Sequence, residues 1–448
     1  MAPSLLIRNN RGSVAAVAVI LMTFLATLAI VFVSNSSRRF KQTGQFSTER
    51  QALYMAESAI ELACYDAKKI KIDTTLTDIL DGGTFSYNPF IDSAYPPVTV
   101  ISEYVNGFLQ LTSTAKYKGH QKTLRVNVGA RLPKEFSAAL VLFGEEPLII
   151  ENGQINGKVR TRGRIEPIGA LFDYELLTTE PPKLNERIFK ESMDSLFKLS
   201  QKLDSGASKS GQLISYNSSN PLSFKKDSLL NHAGSVLING DRFGNTIIIE
   251  GPGIIESGEG IQISGNIELR NVILVAQGDL SLLDNAKLSN CILLSYKRVY
   301  LADKSSFEGS IYSHGTVEIR DQATIQPYTL IYAQGNNKGA NQRIVSLEGE
   351  VKVSGTIIAN SQSGLVYLQD DAHFTGIIFS LASVDIRGIV EGSVIARSFQ
   401  TRDSDTEPFT PTFRDGKIDY AALPTDYTAP IGLMTKPDFK ISSREVIE

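Results

Sequence analysis

Two columns of aliphatic residues, repeating in step, constrain this chain most. The first runs Ile263, Leu282, Leu301, Ile319, Leu347, Leu368 and Ile386, at intervals of 19, 19, 18, 28, 21 and 18 residues. The second runs Ile254, Ile273, Ile292, Ile311, Thr329, Ile357, Ile378 and Val394, at intervals of 19, 19, 19, 18, 28, 21 and 16. Both columns contain one long interval, and a single loop accounts for it: GNNKGANQR at 335–343. A period near 19, with short strand-like runs and Gly, Asn and Asp at the corners, predicts a parallel β-helix whose coils bury their apolar sides on one another. In the coil after Gly278 the runs are LSLL, AKLS and CILL, with corners at Asp284-Asn285 and Asn290. Alternation points Leu280, Leu282, Ala286 and Leu288 inward. Seven or eight such coils make a rod of roughly 35–40 Å at about 4.8 Å each.

The main solenoid is expected over 234–400, with first strands at 140–164, where LIIENGQINGKVRTRG has the same texture. Residues 165–233 interrupt it. They hold Pro181-Pro182 and a helical run at 185–203 with Ile188, Met193, Leu196, Phe197 and Leu199 on one face. That helix is expected to cap the open end of the stack, since bare strand edges are normally covered. The tail, 401–448, is rich in Asp, Thr and Pro and is expected to lie along the rod or be disordered.

At the other end of the chain, residues 13–33 read SVAAVAVILMTFLATLAIVFV, without charge, Pro or Gly. As a helix this run spans about 31 Å, the thickness of a bilayer's hydrocarbon core. A buried core helix would be striped, and this run is apolar all round. A cleaved secretory signal would carry a shorter apolar region and a small-x-small site. The reading is one transmembrane helix, 13–34. Arg8 and Arg11 precede it and Arg38, Arg39 and Lys41 follow it, so positive charge alone does not orient it. Through 35–72 the pattern turns amphipathic, with Leu53, Ala56, Ile60, Ala63, Ala67 and Ile70 on one stripe. Residues 84–132 then read as a small antiparallel sheet. Leu109 and Leu111 alternate with polar residues, Lys118-Gly119 makes a turn, and Leu124, Val126 and Val128 alternate again.

An Arg-Gly pair before an apolar run, then a helix reading QALYMAESAIELA and a strand–turn–strand, resembles the PilX-type minor pilins and the minor pseudopilins of type II secretion. The resemblance covers about residues 8–132. It implies a leader, 1–12, ending at Gly12, with Ser13 as the first mature residue. Family members usually begin with Phe or Met, and shaft pilins carry Glu at mature position five, where this chain has Val17. The resemblance further implies a prepilin peptidase, the membrane and other pilins or pseudopilins as partners. It implies a single-pass protein of the bacterial inner membrane, with its bulk periplasmic, or extracellular after assembly. The expected fold is therefore mainly β: a transmembrane helix, a small pilin-like α+β domain, and a β-solenoid with a helical insertion.

Nothing in the pattern of titratable residues composes a catalytic centre, and the expectation is a protein that is not an enzyme and holds no metal or cofactor. His120, His232, His314 and His373 stand at no metal-ligand spacing. There is no phosphate-binding glycine loop and no nucleophile elbow. A formal charge of −3 over 448 residues leaves no nucleic-acid footprint. Cys64 and Cys291 read as two buried thiols. Asp284, Asp303, Asp321 and Asp370 form a corner column that suits a cation ladder or, more simply, Asx turns capping backbone N–H groups. One outward face carries Tyr300, Glu318, Ser346, Tyr367 and Asp385, with Arg320, Glu348 and Arg387 beside them. A glycosidase needs two carboxylates close together. Glu318 and Asp385 are coils apart, roughly 14 Å, which is too far. The expected function is a filament subunit of a type IV pilus or secretion system that displays the solenoid for assembly, adhesion or contact with a surface ligand or polysaccharide. A membrane-tethered scaffold of bactofilin type is the alternative, and a carbohydrate-active β-helix enzyme a weaker one.

Cleavage between Gly12 and Ser13 is directly testable. In cells with active prepilin peptidase the mature N-terminus should be Ser13, and Gly12→Leu should leave the leader attached. Edman or mass-spectrometric sequencing that finds Met1 intact in the wild-type protein excludes this processing.

Overall fold

A computed structural model describes residues 34, 44, 46–65, 83–87, 95–105, 108–132, 137–168, 174–177, 189, 193, 214–216, 228–241, 244, 246–335, 342–402, 408–430, 433 and 439–447. The apolar run at 13–33 and the Gly12–Ser13 junction lie outside these. Among the described residues no helix is long and apolar enough to cross a membrane.

A helix over 46–65 lies on a five-stranded antiparallel sheet. Met55, Ala56, Ala59, Ile60 and Ala63 face Val98, Val100, Leu109, Leu111, Leu124, Val126 and Val128. The stripe forecast for the helix is rotated slightly, because Leu53 stays half-buried while Ala52 and Met55 take the core positions. The first four strands, Gly83–Tyr87, Val98–Val105, Phe108–Tyr117 and His120–Ala130, form a meander in chain order. Lys118 and Gly119 sit at φ 46° and 86°. Two successive positive φ values match the twist of a two-residue hairpin, here between Tyr117 and His120.

The fifth strand, Phe439–Ile447, comes from the far end of the chain and pairs with His120–Ala130. Arg444 on it hydrogen-bonds Glu61 of the helix at 3.2 Å and lies 3.7 Å from Glu57. Within the tail, Thr412–Arg414 and Lys417–Asp419 lie against the rod, as one of the two expectations for the tail has it, while its last strand is the closing edge of the N-terminal sheet. Its alternation is weak, and only its partner, more than 300 residues away, makes it a strand.

The parallel sheets form the solenoid. Ten short strands stack on one side, and fourteen strands make up a second, longer sheet. Strands of the second sheet bend within their length. In Lys287–Ser295 the bend is at Asn290, φ 51°. A coil therefore has three sides, with Asp284 (φ 59°) and Asn290 at two of its corners. Ile263, Leu282, Leu301, Ile319, Leu347, Leu368 and Ile386 stand in register on successive strands, as their spacing requires. Leu280, Leu282, Ala286, Leu288 and Leu293 all point into one continuous aliphatic core.

The second column is not one register. Ile254, Ile273 and Ile292 are paired in sequence, but Ile292 then faces Ser310, and Ile311 faces Leu293. Ile273 and Ile292 thus lie on the outer side of their strands, packed under flanking segments, while Ile311, Ile357, Ile378 and Val394 are in the core. The slip arises at one corner. Between Leu288 and Cys291 the strand has two residues, and between Phe307 and Gly309 it has one. With a side-chain period of two, losing one residue turns the following arm over.

The chain also closes on itself. Leu140–Leu142 pairs with Val394–Ala396 of the last coil, Val159–Thr161 lies beyond it, and Tyr174–Leu176 is outermost. The early strands therefore occupy the end of the stack opposite the coil that starts near Gly234. At that other end Ile214–Tyr216 and Ser228–His232 begin the winding. Lys417–Asp419 bridges the join, pairing with both Ile389–Val390 and Gln154–Asn156. Phe189 and Met193, from the forecast helix, are buried against the outer wall that includes Tyr312 and Tyr332, with Phe189 stacked on Tyr332 at 5.3 Å. These side chains cover a flank, not an end. Hydrophobic residues such as Leu330, Ile358 and Ile377 on that wall are what they bury.

From Gly309 onward the corner before the last arm is lined by Gly309, Gly355, Gly376 and Gly392, at φ 146°, 144°, 139° and 155°. A Cβ on Gly376 would stand 1.9 Å from the carbonyl oxygen of Gly355 in the coil below. Gly376→Ala should therefore cost on the order of 3 kcal/mol, combining backbone strain with overpacking. Equilibrium unfolding in urea measures it, and a change within about 0.5 kcal/mol would contradict this coil spacing.

Candidate functional site

The corner Asp residues are structural, and they act between coils. Asp284, Asp303 and Asp321 have φ of 59°, 60° and 63°, a conformation Asp adopts more readily than most residues. The carboxylate of Asp284 accepts the N–H of Gly265 (3.1 Å), that of Asp303 the N–H of Asp284 (2.9 Å), and that of Asp321 the N–H of Asp303 (3.4 Å). Each acid thus caps the turn of the preceding coil. Asp370 departs from the series, and the Gln369 side chain instead accepts the N–H of Gly349 at 3.1 Å. Among the described residues no three His, Cys, Asp or Glu stand close enough together to hold a metal ion.

A second ladder, inside the opposite corner, escaped the sequence reading. Ser257, Ser295 and Ser313 are buried, and their hydroxyls donate to carbonyls of the coil before and of their own turn. The signal was a small residue recurring at every such corner, with Ala276, Ala333 and Ala359 between the serines. Buried hydroxyls persist when their hydrogen bonds are made, and these are.

The polar face on the ten-stranded side is one register column: Tyr300, Glu318, Ser346, Tyr367 and Asp385. Its charges alternate along the rod. Arg298 lies 2.9 Å from Asp279 and 3.7 Å from Glu318; Arg320 lies 3.6 Å from Glu318 and 3.4 Å from Glu348. Arg343 pairs with Glu348 and stands 3.8 Å from the centre of the Tyr367 ring. Four arginines and four carboxylates, Asp385–Arg387 included, balance one another in charge. Such a face has little net field with which to draw in an ion. Glu318 and Asp385 are three strand steps apart, roughly 14 Å. Carboxylate pairs that cleave glycosides stand about 5–10 Å apart.

Asp385 differs from its neighbours. The tail covers it to 2% exposure, and Thr401 donates to it at 3.0 Å. Sequence reasoning placed it on an open face because its cover, Thr401, comes from a segment with no repeat signature. Burial pushes its carboxyl above the ordinary carboxylate range, and Arg387, Thr401 and Arg343 counter this only in part. Neither cysteine is in a disulfide, both are buried, and burial pushes the Cys291 thiol up to about 12, which disfavours the thiolate that a nucleophile needs. The histidines have separate surroundings: His120 near Glu49, His314 stacked on Tyr296 and bonded to Gln334, His373 beside Glu391.

The outer side of the helix is the remaining surface. Phe46, Tyr54 and Tyr65 are each more than half exposed, and Leu62 is exposed beside them. Arg50, Glu57 and Glu61 lie among them, with Arg50 stacked over Phe46 at 4.2 Å. Gly12, Ser13 and Val17, the residues tied to processing and assembly, lie outside the described residues.

Asp385 carries a pH signature with a definite sign. A carboxyl whose folded pKa is raised binds its proton more tightly in the folded state. It therefore favours folding as pH falls into the window above the ordinary carboxylate value, and that contribution is lost as pH rises through the folded pKa. The unfolding midpoint of the wild type minus that of Asp385→Asn should accordingly increase as pH is lowered from neutral towards that range. A difference independent of pH would show that Asp385 is not perturbed.

No family model matches the chain, and no curated protein does. Among solved structures it is similar to the competence-associated pilin ComZ from Thermus thermophilus, at 12% identity and a TM-score of 0.22, over 89% of this chain and 97% of that one. Likeness at this level carries no argument about fold or function.

Proposed function

We propose that this chain is a membrane-anchored minor pilin- or pseudopilin-like subunit of a type IV pilus or type II secretion-type filament, processed by a prepilin peptidase. Its solenoid would stand on the periplasmic or extracellular side as a display and contact element. The observation that carries this reading is the helix over 46–65. It follows an apolar run long enough to cross a bilayer, packs one side on a small antiparallel sheet, and keeps Phe46, Tyr54, Leu62 and Tyr65 uncovered on the other. A helix with two apolar sides needs a second partner, and neighbouring subunit helices would supply it.

The rod's chemistry suits contact, not turnover. Its main charged face is self-neutralised and its aspartates are committed to backbone N–H groups. A scaffold of bactofilin type would need two bare ends for end-to-end growth, and here one end is joined to the chain's own early and late strands. Val17 offers no carboxylate to a neighbour's N-terminal amine, and a solenoid of this bulk repeated along a shaft would crowd. Both features favour a low-copy position at or near a filament tip.

Quantitative blotting of sheared filaments tests this. The subunit should be present far below the major subunit. Tyr54→Arg should lower its incorporation by about tenfold or more, because an unpaired charge in an apolar interface costs roughly 2 kcal/mol. Equal copy number would exclude the tip position. Absence from both filaments and assembly complexes would exclude the filament role.

A further inference from the structure

Between the small sheet and the solenoid lies a cleft of about 330 Å³, within the roughly 300–1,000 Å³ range of small-molecule sites. One wall is the sheet face turned away from the helix, with Phe108, Gln110 and Arg125; the other is the solenoid corner bearing Asn271, Asn290, Glu308 and Tyr328. Its polar groups are arranged by other contacts. Asn290 donates its side-chain amide to Asn271 Oδ1 at 2.7 Å, and Gln110 donates to Asn127 Oδ1 at 3.1 Å. Within the described residues this leaves the Asn271 amide N–H group and the carbonyl oxygens of Asn290 and Gln110 uncommitted. Arg125 Nε is buried and makes no hydrogen bond there.

The aromatic wall is set up at a conformational cost. The corner carrying Tyr328 is two residues longer than the next one, with Gln326, Pro327 and Tyr328 between Ile325 and Thr329 where only Ser354 separates Val353 from Gly355. Tyr328 itself has φ 63°, while the same corner in other coils uses Asn or Gly. A bulky side chain at positive φ costs about 1–3 kcal/mol and marks a place where the ring is wanted. The ring meets Phe108 edge-on, 6.0 Å between centres.

We propose that this cleft binds a short, uncharged saccharide unit. Sugar hydroxyls both donate and accept, and planar amides with free N–H and C=O groups complement them. The Tyr328–Phe108 pair supplies apolar surface for a sugar's C–H face. An anion is disfavoured, because Glu308 and Glu445 outnumber Arg125 and Glu445 already lies 3.8 Å from it. A peptide would normally add to a free strand edge. The strands that supply the amides, bearing Gln110, Asn127 and Asn290, are each paired on both sides, and the edge strand Phe439–Ile447 contributes only Glu445 to the lining. The inference rests on the cleft alone and holds whether or not the chain enters a filament.

Saturation-transfer NMR on the full chain tests it, in a zwitterionic detergent that carries no sugar headgroup. The probes are glucose, galactose, N-acetylglucosamine, lactose and maltose. At least one should give a saturable signal with a dissociation constant on the order of 1 mM. Asn290→Gly, which suits the left-handed position, and Gln110→Val should each weaken it by about tenfold or more. Both should keep the wild-type unfolding midpoint. Absence of a saturable signal from every sugar overturns the proposal, as does undiminished binding by both variants. Binding of an extended Ser-Gly-Asn-Gly-Ser peptide that Asn290→Gly abolishes, with none of the sugars bound, would also overturn it.

Discussion

Everything in this molecule depends on parallel strand pairing from coil to coil, repeated at about 4.8 Å. That spacing leaves no room for side chains between backbones at the corners, so the corners decide what the sequence can be. Where Gly376 sits on Gly355 the gap holds a hydrogen atom and nothing larger. Where the turn needs a positive φ, Asp284, Asp303 and Asp321 adopt it and cap the neighbouring coil in the same act. Where the interior narrows, a serine or alanine fits and the serine hydroxyl shares its one proton between two carbonyls within reach. The aliphatic stack supplies the drive to wind, but these corner ladders fix the pitch and the register.

The legible part of the fold was the part set by nearest neighbours. The leucine column of the ten-stranded side could be read because its members hold the same place on every coil, so any change in coil length shows as a single interval. The Lys118-Gly119 hairpin was legible for the same local reason. The isoleucine column failed at Ile292 and Ile311, since the residue lost before Gly309 shortens that coil to the 18 seen in the first column, while matching the two isoleucines at 19 pairs an outward residue with an inward one. The closure of the stack by Leu140–Leu142, and the completion of the small sheet by Phe439–Ile447, join segments hundreds of residues apart. No periodicity records such a pairing. The burial of Asp385 under Thr401, only 16 residues on, was hidden because that segment has no repeat, and of the cleft between sheet and rod only Asn290, as a corner, was legible.

These long-range closures give the molecule a mechanical continuity that a solenoid hung from a flexible stalk would lack. The sheet strand His120–Ala130 ends at Ala130, which is bonded on both sides of its peptide to Ala429. Residues near Ala429 reach the solenoid wall, where Tyr427 shares a 2.6 Å hydrogen bond with Thr356 and donates to the carbonyl of Gly355. Arg444, on the same tail, grips the helix through Glu61. Helix, sheet and rod are thus tied by the chain's last segment as well as by its first connection at 131–139.

That double connection also bears on where recognition can reside. Along the rod the charges are spent on one another, and the aspartates on backbone N–H groups, so the repeating faces are stiff and chemically quiet. The seam between sheet and rod is different. It interrupts the repeat with a longer corner, places a tyrosine in a conformation that glycine or asparagine holds elsewhere, and leaves amide groups partly unpaired. Regular coils cannot vary one position without disturbing the next, whereas a seam between two independently packed cores can. Local strain held in place by two rigid bodies is a common setting for binding. In this molecule the strain is at Tyr328, and the two bodies are tied to each other by Ala429 on the sheet and Tyr427 on the rod wall.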